Sequence, residues 1–101
     1  MRNLFYILDK DGNPVSEPDT MKWGEFFENI NCRGVGRTEV ANVMVSTVFL
    51  GIDHQFGDGP PILWETMVFG GTLDGEQRRY SSKEDAKRGH AEMVKKVESE
   101  G

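Results

Sequence analysis

Two runs of this chain, Val43 to Leu50 and Ile62 to Phe69, alternate like strands yet are largely apolar at both sets of alternating positions. Val43, Val45, Thr47 and Phe49 form one set, and Met44, Ser46, Val48 and Leu50 the other. In the second run Ile62, Trp64, Thr66 and Val68 face one way, and Leu63, Glu65, Met67 and Phe69 the other. A sheet with one wet face alternates apolar with polar residues, so strands lacking that contrast have cover on both sides. In a chain of 101 residues such cover is scarce. The pattern therefore leaves room for a partner surface.

A chain of this length forms one domain, residues 1–101, that buries somewhat over about 60% of its unfolded surface. The composition, 37% hydrophobic and 29% charged, is globular rather than disordered. A net charge of -5 disfavours non-specific attraction to nucleic acid or anionic lipid. The charge is uneven: residues 1–30 hold six acids and three bases, whereas from Gly70 onward seven acids balance seven bases. The single cysteine, Cys32, excludes an internal disulfide, and Cys/His zinc spacing is absent. A reducing cytosol is expected. Leu4 to Leu8 is too short for a signal peptide, and no apolar run approaches the ~20 residues of a membrane span.

Leu4 to Leu8 reads as a short strand, followed by turn residues from Asp9 to Pro14. This turn is no calcium loop, because Pro14 and Thr20 stand where the sharp-turn glycine and bidentate glutamate belong. Asp19 or Thr20 caps a helix to about Asn29, with Trp23, Phe26, Phe27 and Ile30 in one stripe. Val35 to Val40 and Val43 to Leu50 form a hairpin around Ala41-Asn42, where Asn tolerates the left-handed conformation. A loop from Gly51 to Pro61 leads into the strand Ile62 to Phe69. Gly70 to Gly75 turns the chain into a strand at Glu76 to Tyr80. Ser81-x-x-Glu84 and Ser82-x-x-Asp85 are both capping boxes for a last helix, on which Ala86, His90, Met93, Val94 and Val97 share a face.

The order β-α-β-β-β-β-α, with short connections among the middle strands, predicts an α+β domain. Its mainly antiparallel sheet has about five strands and carries two amphipathic helices. If both helices take one face, the apolar second face of the central strands is left open to a partner. If each takes its own face, nothing is exposed.

Candidate chemistry sits first in the loop Gly51 to Pro61, eleven residues long where a hairpin closes with about two to five. Asp53 and His54 there could form an oriented general base or supply two metal ligands, or simply satisfy backbone groups. Phe56 and Asp58 complete the loop's candidate binding residues. Glu65 interrupts an otherwise apolar strand face, either paired with Arg78 or Arg79 or placed as a catalytic acid. His90, central in the apolar stripe of the last helix, is either a satisfied core histidine or a ligand or base. Metal or acid-base chemistry requires His54, Glu65 and His90 to converge. Trp64 and Met67 are the candidate contact residues of the central strands. Arg78, Arg79, Lys83, Lys87 and Arg88 could gather into a phosphate patch, but Glu84, Asp85 and Glu92 interleave with them as on an ordinary helix surface. No phosphate-cradling glycine loop, serine-nucleophile elbow or HExxH occurs, and no cofactor is implied.

The segment TVFLGIDHQFGDGPPILWETMVFGG, Thr47 to Gly71, and the ending YSSKEDAKRGHAEMV, Tyr80 to Val94, resemble a group of small uncharacterised proteins of tailed bacteriophages. Those proteins are similar in a TVFLGLDH-type strand end, a PPLLFETMVFGG-type strand and a closing GH helix. With the RTEV strand the resemblance spans roughly the C-terminal two-thirds of the chain. Ile52 replaces Leu and Trp64 replaces Phe, both conservative for packing. The resemblance brings no established activity and no catalytic residue. It implies a small accessory protein in an infected bacterial cytoplasm, where such proteins often bind host factors stoichiometrically.

The first functional expectation is thus a phage-encoded protein that binds a host or phage macromolecule, in a host-takeover or anti-defence role. A non-enzymatic role is preferred to catalysis without excluding it, and the chain could pair as a homodimer through its central strands. The alternatives are a small metal-dependent or acid-base enzyme using Asp53, His54, Glu65 and His90, and an acidic nucleic-acid decoy.

Overall fold

A computed structural model of the chain describes residues 4–28, 34–55 and 59–100. Its elements in order are β1 (Tyr6–Leu8), β2 (Pro14–Ser16), α1 (Thr20–Glu28), β3 (Gly34–Val40), β4 (Val43–Phe49), β5 (Trp64–Phe69), β6 (Gln77–Tyr80) and α2 (Lys83–Glu100). The fold is α+β, with an antiparallel four-stranded sheet β3-β4-β5-β6, a two-stranded sheet β1-β2 and two helices. The first strand stands outside the main sheet: it pairs with β2, and one bridge, Phe5 to Ile52, ties it to the end of β4. Asp9 makes that hairpin, its Oδ1 accepting the backbone N–H groups of Asp11 and Asn13 at 2.9 Å each.

Helix boundaries follow their caps. Asp19 Oδ1 accepts the Met21 N–H at 2.9 Å at the start of α1, and Ser82 Oγ accepts the Asp85 N–H at 3.1 Å at the start of α2. The stripe Trp23, Phe26 and Phe27 is half-buried rather than core, and it packs as aromatics against Phe5 and Phe49. Ile30 lies outside the described residues. Gly51 seats this cluster, because its carbonyl accepts both Trp23 Nε1 at 3.0 Å and the Tyr6 N–H at 2.8 Å. A Cβ on Gly51 would stand 2.0 Å from the Phe27 ring, at a φ of +74° that other residues rarely adopt.

At the β3–β4 turn the left-handed residue is Ala41, with φ 54°, and not Asn42. Positive φ at the first central residue alone is the pattern of a type II′ turn, which prefers glycine there.

Both helices pack on one face of the sheet. α2 crosses all four strands, and Phe26 of α1 meets Phe49 with ring centroids 6.0 Å apart. Val45, Thr47, Phe49, Trp64, Thr66 and Val68 point to that face, each at most 1% exposed. The apolar residues beneath α2 form two clusters. Val45, Val68, Met93 and Val97 make one; Phe49, Leu63, Trp64 and Ala86 make the other, with Tyr6, Leu8, Phe26 and Tyr80 against it.

Candidate functional site

Between the two clusters runs a polar seam. Tyr80 OH donates to Thr66 Oγ1 at 3.0 Å, Thr66 and Thr47 hydroxyls meet at 2.5 Å, and Thr47 Oγ1 lies 2.7 Å from His90 Nδ1. His90 Nε2 lies 2.9 Å from Thr38 Oγ1. Strand register creates this line, because Thr47 pairs directly with Thr66 across the β4–β5 ladder and with Gly36 across β3–β4. The bare backbone of Gly36 admits the imidazole, since a Cβ there would sit 3.2 Å from two ring atoms.

One proton order satisfies the whole seam: Tyr80 donates to Thr66, Thr66 to Thr47 and Thr47 to Nδ1, with the imidazole hydrogen on Nε2 donating to Thr38. Burial lowers the His90 pKa below the usual histidine range. Both ring nitrogens are engaged in packing the core.

The residues named as an acid-base constellation do not converge. His90 lies under α2 on the helix-bearing face. Glu65, whose neighbours Trp64 and Thr66 point to that face, points to the other, where its Oε2 accepts Arg79 Nε at 2.9 Å. Asp53 is 6% exposed and turns the loop, its Oδ1 accepting the N–H groups of Gln55 at 2.8 Å and Ile62 at 2.9 Å. The His54 N–H donates to Ile62 O at 3.0 Å, continuing the β4–β5 pairing into the loop. Phe56 and Asp58 lie outside the described residues. Among the described residues no three His, Cys, Asp or Glu side chains group to hold a metal ion, and no helix is long and apolar enough to cross a membrane.

The two central-strand candidates separate. Trp64 is 1% exposed in the core, whereas Met67 points to the face opposite the helices. Register places Glu39, Met44 and Phe69 in one row of that open face, Arg37, Ser46, Met67 and Gln77 in the next, and Val48, Glu65 and Arg79 in the third. Phe69 is 50% exposed, and every element whose packing is described lies on the other side of the sheet. Its two acids and two bases balance.

Of the five bases named for a phosphate patch, three are paired: Arg78 with Glu92, Arg79 with Glu65 and Arg88 with Asp85. Lys83 and Lys87 enter no ion pair among the described residues, and both line a cleft of about 480 Å³ between the β1–β2 turn and the start of α2. Trp64 lines it too, and its Nε1 is the one buried side-chain nitrogen or oxygen without a hydrogen-bond partner among the described residues. Such an orphan costs about 1–3 kcal/mol. Neither the Thr47–Thr66 pair nor this cleft was apparent from sequence; the available signal was two threonines and a histidine set in apolar stripes.

Comparison with known proteins finds no matching family model, no matching curated protein and no matching solved structure.

Proposed function

We propose that this is a small phage-encoded accessory protein that holds a host or phage protein against the open face of its sheet. The observation that carries the reading is the one-sided cover: α2 and α1 share one face while Met44, Val48, Met67 and Phe69 line the other. Contiguous apolar surface left open by a fold marks interaction sites. The scatter of Asp53, His54, Glu65 and His90 supports a binding role over acid-base catalysis. The balanced face and the net charge of -5 support a protein partner over nucleic acid. The resemblance to phage proteins supports a role in the host cytoplasm, in host takeover or anti-defence.

Size decides between partners. Strands lie about 4.8 Å apart and rise about 3.3 Å per residue, so this face spans roughly 400 Å². A stable interface takes about 800 Å² from each partner. A homodimer through this face alone is therefore weak, and a tight partner must also reach the sheet's edges. Capture from infected-host lysate by wild type and by Met67→Glu/Phe69→Glu tests this. A partner lost in the folded double variant is expected; its retention would refute the assignment of the face.

A further inference from the structure

The two edges of the main sheet differ in what they leave unpaired. β6 has four residues, and its charges are taken within the chain: Arg78 pairs with Glu92, and Arg79 with Glu65. β3 has seven residues, with β4 on one side and no strand on the other among the described residues. Its two charged side chains, Arg37 and Glu39, are exposed and enter no ion pair among the described residues. The tight turn at Ala41-Asn42 makes Val40 and Val43 a pair that exchanges backbone hydrogen bonds. Such pairs recur at every second residue, here Thr38 with Val45 and Gly36 with Thr47. Arg37 and Glu39 therefore aim their N–H and C=O groups out of the sheet. Regular pairing runs from the irregularity between Gly34 and Gly36 to the turn, so the even part of the edge is Gly36 to Val40, with Thr38 at its centre. His90 holds that central residue from inside, its Nε2 2.9 Å from Thr38 Oγ1.

We propose that two copies of this chain pair antiparallel through β3, about a two-fold axis at Thr38. In that register Arg37 of each copy lies opposite Glu39 of the other. The backbone groups of both point outward, so they can exchange both hydrogen bonds, as alternate pairs of an antiparallel ladder do. Their side chains lie on the open face, where each Arg37 meets a carboxylate of the other copy. Charge also rejects the neighbouring symmetric registers of the same backbone parity. Centring the axis on residue 37 sets arginine against arginine, and centring it on residue 39 sets glutamate against glutamate. The assembly closes at two copies, because the axis uses the same edge of each. That axis stands perpendicular to the sheet, so the helices stay on one side and the two open faces join into roughly 800 Å², the area a stable interface takes from each partner. The pairing itself does not depend on what the open face holds.

An edge contact is smaller than the ~800 Å² per partner of a stable interface, so the dimer is reversible, with half-association expected at about 0.1 mM. Sedimentation equilibrium of the purified chain between about 10 µM and 1 mM brackets that value. Arg37→Glu and Glu39→Arg each place like charges opposite one another, and each should dimerise at least ten-fold more weakly. Both positions are exposed, and an unchanged thermal melt shows that each variant is folded. Mixing the two single variants should recover the dimer, because every facing pair is then opposite in sign again. The double variant Arg37→Glu/Glu39→Arg should dimerise like the wild type for the same reason. A wild type that stays monomeric, single reversals that dimerise as well as the wild type, or a mixture or double variant that stays monomeric would overturn the proposal. With only the purified chain present, none of these results bears on the partner assigned to the open face.

Discussion

Thr47 Oγ1 lies 2.7 Å from His90 Nδ1, and this one bond joins the middle of the central strand β4 to the middle of α2. It divides an apolar core cluster on one side from another on the other. Moving α2 by a turn along the sheet would bring the imidazole over Val45 or Phe49, where no hydroxyl meets it. The seam thereby sets the helix's position as well as adding stability.

Breaking the seam at either end should therefore cost more than the bond is worth. Thr47→Val orphans His90 Nδ1 and leaves the Thr66 hydroxyl with Tyr80 alone, and His90→Leu removes the Thr38 partner and leaves Thr47 with Thr66 alone. Each is expected to destabilise by about 1–3 kcal/mol. The double variant should cost less than the sum, because the two residues are each other's partners. Denaturant titration of the four proteins measures the coupling, and strict additivity would disprove it.

The same geometry sets a pH dependence. The His90 pKa is lowered in the fold, so its contribution is fully present above about pH 6.5, the unfolded value. Stability should fall as pH drops below that point, since the unfolded chain then binds the extra proton, and level off below the folded pKa. His90→Gln should flatten this part of the stability profile. An unchanged slope in that variant would assign the dependence to carboxylates instead.

Gly89 lets α2 approach the seam: a Cβ there would stand 2.2 Å from Tyr80 OH. Alanine is favoured over glycine in helices by about 1 kcal/mol, yet Gly89→Ala must displace the tyrosine that donates to Thr66. A net loss of about 1–2 kcal/mol is expected, because loss of a buried hydrogen bond and packing strain outweigh propensity. A thermal melt that rises would show that Tyr80 swings aside freely.

Ala41, at φ 54°, stores strain that glycine relieves. Ala41→Gly should stabilise by up to about 1 kcal/mol, the left-handed penalty for an L-residue less glycine's extra unfolded-state entropy. Lower stability would mean that the turn reads Ala41 for something other than its backbone.

Helix α2 was legible because every local signal agreed: serine caps, acids in the first turn and one apolar stripe. β2 was not, because three exposed residues beginning with a proline carry no periodicity. His90 stood out as a polar residue in an apolar stripe, but its partners did not. Threonine is an ordinary strand former, and only the β4–β5 register brings Thr47 opposite Thr66. Grouping Trp64 with Met67 overlooked strand parity, since residues three apart face opposite sides of a sheet. Glu65 was legible because an acid on an apolar strand needs a cation, and the adjacent strand offered Arg79 in register.

A photo-crosslinking side chain placed on the open face tests most directly whether that face is the working surface. One version carries the crosslinker at Ser46, central on the open face, and the other at Lys95, exposed on α2. Both are illuminated in infected-host lysate and resolved by mass. A discrete adduct from position 46 and none from position 95 is the expected result. Adducts from position 95 alone, or none from position 46, would contradict it.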